Sequence, residues 1–199
     1  MSDRLLYALR GATASRHEEL DRSLALTEPA LTRDRYVAFL RGSLAVLEGI
    51  EPAVAPLCWR PDLRRCACLR RDLEALGVDP PEPARSADPA DLPEPPPVGD
   101  LAAADPADDP DLLGCAYVIE GSTLGGLVLA ERVERALSTR ATAYLRLRGA
   151  DTARAWRAFL AVLDAHDAHM TDGDRDRACA AACATFDRYR EALLQYATH

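Results

Sequence analysis

One histidine and one cluster of glycines are the residues of this sequence best placed to do chemistry. His17 lies in the helix-like segment LRGATASRHEEL, on one face with Thr13 and Leu20. We therefore expect its imidazole to project toward the core, as either a hydrogen-bonded core histidine or a metal ligand. Asp21, one turn further on, is placed to accept the outer ring N–H of a metal-bound imidazole.

Three glycines interrupt an otherwise apolar helical stretch, YVIEGSTLGG, as Gly121, Gly125 and Gly126. Each costs a helix interior about 1 kcal/mol relative to alanine, so the run predicts a break in the helix or a compensating close contact. With Gly114 and Val118, two of these glycines form a narrow stripe that has almost no side chains. The stripe has two possible functions at this point. It could allow tight packing against another helix, or it could let a flat ligand approach the bare backbone.

The other candidate ligands give weaker signals. His166 and His169 form an HxxH pair at an acidic helix end, where solvent exposure is favoured over metal binding. The six cysteines match the spacing of no zinc ribbon or redox pair, which predicts reduced, buried thiols. Cys66 and Cys68 lie in RRCACLRR, where positive charge would lower a thiol pKa, but no nearby residue completes a catalytic set.

Composition narrows the class of protein. A length of 199 residues suits a single domain. All 24 basic residues are arginine and they are outnumbered by 32 acidic ones, so a nucleic-acid partner is disfavoured. No apolar stretch approaches the roughly 20 residues that cross a bilayer, and the amphipathic N-terminus lacks a signal-peptide pattern. We therefore expect a cytoplasmic protein without a membrane partner.

Helical periodicity runs through almost the whole chain without a credible strand pair, which predicts one all-α domain over residues 1–199. Thr32 is the expected cap of the second helix, and Gly77 the residue that closes the third. The stretch 79–110 is rich in proline and acid and predicts an extended loop around one core. Helices are expected at about 3–24, 33–57, 61–76, 111–138, 151–169 and 174–196.

Taken together, LRGATASRHEEL and GCAYVIEGSTLGGLVL resemble the biliverdin-producing bacterial haem oxygenases, of the type often paired with bacteriophytochromes. The resemblance covers nearly the whole chain in helix order. Its two motifs are Thr13 four residues before His17, and the glycines from Gly121 to Gly126. It implies a helical bundle whose first and fourth helices enclose haem b, with His17 on the iron and the glycine backbone on the oxygen side.

The resemblance also assigns further site residues. Arg10 lies two turns before His17, about 10 Å along the helix, which suits a haem propionate. Animal relatives carry an aspartate where this chain has Ser122, so the distal water would be held by the Gly121 carbonyl together with Ser122. A plain core aromatic would give the same sequence signal as Phe186. The implied catalytic set is Gly121, Ser122 and Gly125, and the implied haem-binding set is Arg10, Thr13, His17, Asp21, Tyr117, Gly126, Arg157 and Phe186.

The activity implied by the resemblance uses haem as both substrate and cofactor. Dioxygen and external electrons would convert it to biliverdin, carbon monoxide and ferrous iron. No flavin, nicotinamide or iron–sulfur motif is present, so a ferredoxin or a flavoprotein reductase would supply electrons, and a bacteriophytochrome would receive the biliverdin.

Two alternatives stay open on the same fold. A non-catalytic haem carrier or sensor would use the same histidine and glycine helix. Thiaminase-like enzymes and di-iron oxidases need an active cysteine with carboxylates, or more inward-facing ligands than one histidine.

Overall fold

The computed structural model describes residues 4–24, 31–58, 64–81 and 109–197. Within these ranges the chain forms seven α-helices and no strand, so the predicted all-α fold is confirmed. Two short 3₁₀ helices, Ala55–Leu57 and Gly149–Asp151, connect them. The α-helices are α1 Arg4–Leu24, α2 Arg33–Val54, α3 Arg65–Ala75, α4 Pro110–Ser122, α5 Gly126–Leu137, α6 Thr152–Asp167 and α7 Asp172–Ala197.

Two predicted helix ends are confirmed, and at each of them a specific residue starts or ends the helix. Thr32 is extended and its hydroxyl oxygen accepts the Arg35 backbone N–H at 3.3 Å, as an N-cap does. Gly77 has φ +67° and donates its N–H to the Glu74 carbonyl at 2.8 Å, which closes α3. The predicted start of α3 at residue 61 was wrong, because Arg64 is extended and α3 begins at Arg65. Residues 82–108, most of the predicted loop, lie outside the described residues.

The long helix predicted over 111–138 is two helices in the structure. α4 ends at Ser122, a three-residue turn follows, and α5 begins at Gly126, with an angle of 45° between the two. The predicted break at the glycines is therefore present. No single described helix is long and apolar enough to cross a membrane, although α4 and α5 together meet that criterion across their bend.

α7 is the central helix of the bundle, since α1, α2 and α4 all pack against it. Glycines let two of these helices come close. A Cβ added to Gly114 on α4 would collide with the Ala178 carbonyl oxygen, and one on Gly42 of α2 would lie 3.1 Å from Leu193. α7 meets α4 with the small residues Ala178 and Ala182, both fully buried. α1 and α4 are thus held on a common support.

Candidate functional site

His17 lies in the second half of α1, and the expectation that it points into the core was wrong. Its side chain is 63% exposed, whereas Leu5 and Leu9 are fully buried and Thr13 is 3% exposed. The reason is helical drift, because each step of four residues advances about 40° around the axis at 3.6 residues per turn. Three such steps carry His17 roughly 120° away from Leu5, to the edge of the buried face.

The imidazole nevertheless has two defined neighbours. Its Nδ1 lies 3.1 Å from the Asp21 carboxylate, which is the contact expected from their spacing. The ring of Phe186, on α7, packs edge-on against it with centroids 5.8 Å apart. Because Nδ1 faces Asp21, Nε2 is the ring nitrogen left to bind an electrophile. Phe186 is 7% exposed, so it fixes the imidazole against the core from one side.

Two further contacts lie beside His17, one within α1 and one between α1 and α7. The Thr13 hydroxyl donates to the Leu9 carbonyl at 2.7 Å and faces the core. Arg16 Nε lies 3.1 and 3.2 Å from the two carboxylate oxygens of Asp187, one residue beyond Phe186 on α7. This ion pair joins residues 171 positions apart and is half-exposed. No local sequence pattern announces such a pair, and the sequence analysis missed it.

The glycines divide between the two interpretations. Gly114 and Gly126 are packing glycines, since an added Cβ would collide with the carbonyl oxygens of Ala178 and Leu145 respectively. Gly125 is different, because no heavy atom lies within 4 Å of where its Cβ would be. At Gly121 an added Cβ would meet only the Trp156 ring, at 3.8 Å. The predicted stripe therefore serves helix packing at one end, Gly114, and leaves open backbone at the other, Gly125.

Apolar side chains around Gly125 are exposed as well. Leu124 is 47% exposed and Val128 is 55% exposed, at positions one helical turn apart. They are two of the four large apolar residues that are exposed among the described residues. Exposed apolar side chains next to open backbone are typical of a ligand-binding wall.

Local hydrogen bonds organise the turn between α4 and α5. The Ser122 hydroxyl donates to the Ile119 carbonyl at 2.8 Å, and the Thr123 hydroxyl donates to the Glu120 carbonyl at 2.7 Å. The Gly121 carbonyl accepts the Leu124 N–H at 3.0 Å and keeps a second lone pair for another donor. The Ser122 hydroxyl also lies beside the side chain of Tyr144, in the segment between α5 and α6.

The remaining predicted residues lie on α1, α4 and α6. Arg10 and Arg157 are exposed on α1 and α6, two helices that pack against each other. Tyr117 is half-buried on α4, with its ring 6.0 Å from that of Trp156. Trp156 contacts the position of Gly121 from α6, and the sequence analysis did not single it out. Arg157, the next residue on α6, was predicted. A large aromatic residue beside it, on a helix expected near the site, was the available signal for Trp156.

A buried group of charges lies at the end of α4, and the sequence analysis missed it. Glu120 accepts a hydrogen bond from Arg65 Nη2 at 2.6 Å and two from Arg148 Nη2 at 2.7 and 2.9 Å. None of the three residues is more than 6% exposed. We call Arg65, Glu120 and Arg148 the arginine–glutamate cluster. It connects α3, α4 and the segment before α6 directly beside the glycine break.

The cysteines do not form a reactive site. Burial raises the pKa of Cys66 and Cys68, so the lowering considered from their arginine-rich surroundings was wrong. Burial also raises the pKa of Cys58 to about 12. The six thiols are free and are buried or half-buried, as predicted.

Neither HxxH histidine belongs to a metal cluster. His169 is exposed, as expected, and His166 is half-buried. Over the ranges that the structure describes, no group of three or more His, Cys, Asp or Glu residues is arranged to hold a metal ion. The multi-ligand cluster of a di-iron oxidase is therefore not found in those ranges.

Comparison with known proteins gives one consistent result. Residues 3–195 match the family model described as "Heme oxygenase". A "Heme oxygenase" of Xanthomonas campestris pv. campestris (strain 8004) is 33% identical over an alignment of 150 residues, with 70% of this chain and 78% of that protein covered. The solved structure of the haem oxygenase from Leptospira interrogans superimposes with a TM-score of 0.69 at 18% identity. That match covers 98% of this chain and 100% of the other, and it shows a shared fold.

Proposed function

Because this chain belongs to the haem oxygenase family, its activity is the oxygen-dependent degradation of haem, and we propose that His17 ligates the haem iron. The observation that carries the assignment is the exposed imidazole whose Nδ1 is held 3.1 Å from Asp21. The comparisons give no support to the alternative of a non-catalytic carrier or sensor.

We infer that haem lies with one face toward His17 and the other toward the glycine backbone. On one side, the exposed His17 offers Nε2, since Asp21 engages the opposite ring nitrogen. On the other, the open backbone at Gly125 is bordered by the exposed side chains of Leu124 and Val128. An apolar ring placed there would cover side chains that water otherwise surrounds, which favours binding.

Each proposed residue then has a defined task. Asp21 keeps the Nδ1 proton in place and orients the imidazole, and Phe186 limits the rotation of its ring. Gly125 leaves room for close approach, and the lone pairs of the Gly121 carbonyl and the Ser122 hydroxyl hold water on that side. Bound haem supplies both the redox-active iron and the porphyrin ring that is opened.

The outer contacts of the haem are also part of the proposal. The exposed guanidinium groups of Arg10 and Arg157 suit the two propionates, which are anions best placed at the edge of the site. Thr13 supports α1 through its bond to the Leu9 carbonyl, and Gly126 lets α5 begin close to Leu145. Tyr117 lines the α6 side of the site together with Trp156.

The reaction requires partners. Haem oxygenase activity consumes dioxygen and electrons from a reductase and yields biliverdin, carbon monoxide and ferrous iron. We propose that the donor is a separate ferredoxin or flavoprotein reductase, because the sequence has no flavin, nicotinamide or iron–sulfur motif. A bacteriophytochrome is our proposed recipient of the biliverdin.

The activity itself is tested with the purified protein, haem and a chemical or enzymatic reductant in air. We expect the Soret band to disappear and the biliverdin band to rise within one experiment. The absorption spectrum followed over time is the measurement, with protein-free haem as the control. A haem complex whose spectrum stays stable under reductant and oxygen would instead identify a carrier.

Asp21→Asn is expected to weaken haem binding or turnover by about 10- to 100-fold, which is typical when the partner of a ligating imidazole is lost. The amide keeps the size of the side chain but removes the negative charge that faces Nδ1. Haem titration and turnover rates measure the effect. Glu18→Gln, at an exposed position on the same helix, is the matched control. Equal losses of haem affinity and turnover in both variants would show that Asp21 has no specific role at the site.

A further inference from the structure

The angle between α4 and α5 is not set by the residues at the break. The turn holds only short-range bonds to carbonyls three residues earlier, from the N–H groups of Thr123, Leu124 and Gly126 at 3.0 to 3.3 Å and from the hydroxyls of Ser122 and Thr123 at 2.8 and 2.7 Å. Gly121 and Gly125 add no side-chain restraint, since glycine accepts many backbone conformations. Contacts from elsewhere in the fold must therefore hold the bend.

One segment of the chain contacts both sides of the break. We call residues 141–148, between α5 and α6, the splint. The carbonyl of Leu145 lies against Gly126, at the start of α5, where an added Cβ would collide with it. Arg148, at the other end of the splint, donates to both oxygens of Glu120, the residue before Gly121 on α4. The splint thus bridges the break from α4 to α5.

The splint is also bonded to the outer face of α5. Glu134 accepts the Thr142 hydroxyl at 2.6 Å and a two-point bond from Arg146, at 2.6 and 2.7 Å. These bonds lower the pKa of the Glu134 carboxyl to about 2, so it stays ionised and keeps both partners near neutral pH. α5 is therefore held at its first residue and again two turns later.

The splint is fixed to the rest of the bundle as well. Asp72 on α3 accepts the backbone N–H groups of Ala143 and Tyr144 at 2.7 and 2.8 Å. The buried Tyr36 hydroxyl on α2 donates to the Ala141 carbonyl at 2.7 Å. Because α2 and α3 pack together, these bonds give the splint a base that does not move with α5.

The charges of the arginine–glutamate cluster indicate a geometric role. Removing ions from water is costly, and well-packed apolar residues often give equal or greater stability than a buried ion pair. The arginine–glutamate cluster is therefore better explained by the relative placement of α3, α4 and the splint that its hydrogen bonds specify. Arg65 is itself fixed, because the Glu51 carboxylate accepts its backbone N–H and that of Cys66, the latter at 3.1 Å.

We propose that the splint sets the angle between α4 and α5, with Arg148 as its main positioning residue, and thereby selects the carbon of the haem ring that is oxidised. The proposal rests on the proposed haem site. The four meso carbons of bound haem would lie at different distances from the glycine backbone. A small rotation of α5 would change which of them is nearest the open backbone at Gly125. Reaction requires close positioning of the reacting atoms, so the oxidised carbon would change with it.

The test compares three arginine variants. Arg148→Lys keeps the charge but replaces the guanidinium, whose Nη2 donates to both oxygens of Glu120, with an ammonium on a shorter side chain. Arg146→Gln breaks the exposed bond to Glu134 and leaves the core intact. Arg177→Gln is the control, because it breaks arginine–aspartate pairs with Asp109 and Asp111 at the opposite end of α4.

Two measurements are made on each variant. In the haem-free protein, hydrogen exchange of the amides in residues 124–129 is expected to be about tenfold faster or more in both splint variants, and unchanged in the control. In the haem complex, the ratio of biliverdin isomers is expected to change at least about twofold, while the histidine-ligated spectrum persists.

The outcomes separate the splint from the haem site. Unchanged exchange in Arg146→Gln and Arg148→Lys would show that the splint does not hold the bend, and unchanged isomer ratios would show that the bend does not select the carbon. Either result overturns the proposal. Should Arg148→Lys fail to fold, Arg146→Gln decides by itself. If the proposed haem site itself is wrong, the haem complex of the wild-type protein will lack the spectrum of a histidine-ligated haem.

Discussion

His17→Ala is expected to abolish the histidine-ligated haem spectrum and reduce turnover to the background of protein-free haem. The side chain is 63% exposed and contributes little packing, so the haem-free fold should lose no more than about 0.5 kcal/mol, as exposed positions do. The combination of lost ligation and retained fold distinguishes a ligand from a core histidine. Absorption spectra of the ferric complex and thermal melting followed by circular dichroism measure both.

His169→Ala is the matched control, since His169 is exposed and lies next to no proposed site residue. It should match the wild type in spectrum, turnover and melting. Added imidazole is expected to restore part of the ligated spectrum in His17→Ala, because it supplies the missing nitrogen. An unchanged ferric spectrum in His17→Ala without imidazole would contradict the assignment of His17 as the iron ligand.

Gly125→Leu and Gly114→Leu are expected to fail in opposite ways. Gly125 has φ −83° and open space around it, so leucine fits the haem-free fold but occupies the volume over the haem ring. Haem binding should be blocked, or oxidation redirected to another meso carbon. At Gly114 the same side chain would be forced against the α7 backbone, which costs at least the 1 to 3 kcal/mol typical of overpacking.

Thermal melting of the two haem-free proteins, haem titration and product analysis separate these effects. The assignment of Gly125 to the haem site predicts a melting temperature near that of the wild type. It would be contradicted by a large loss of stability in haem-free Gly125→Leu, combined with normal binding and product in the molecules that remain folded.

Local chemistry explains what the sequence predicts well. Helical periodicity, the Thr32 cap and the positive φ of Gly77 depend on residues within a turn or two of each other. The break at Gly121–Gly126 follows from the same short-range cost of glycine in a helix. The spacing of His17 and Asp21 is also local, which is why their contact could be expected before any tertiary structure was considered.

Features that depend on contacts between distant parts of the chain could not be predicted from local sequence patterns. The exposure of His17 depends on where α7 lies, and the arginine–glutamate cluster joins residues 28 and 55 positions apart. The stripe of glycines could not be divided between packing and ligand, because Gly114 and Gly125 have the same spacing pattern but different neighbours. Burial of Cys66 likewise outweighed the arginines beside it in the sequence.

The central position of α7 has a consequence for how the chain acquires its structure. His17 and the glycine break both lie within residues 1–138, but the helices that carry them are supported by α7, through contacts such as Arg16 to Asp187 across 171 residues. Closing such distant contacts is entropically costly and slows folding in proteins that depend on them. The two walls of the proposed haem site thus become aligned only when the final helix docks, so we expect binding competence to emerge late and cooperatively during folding.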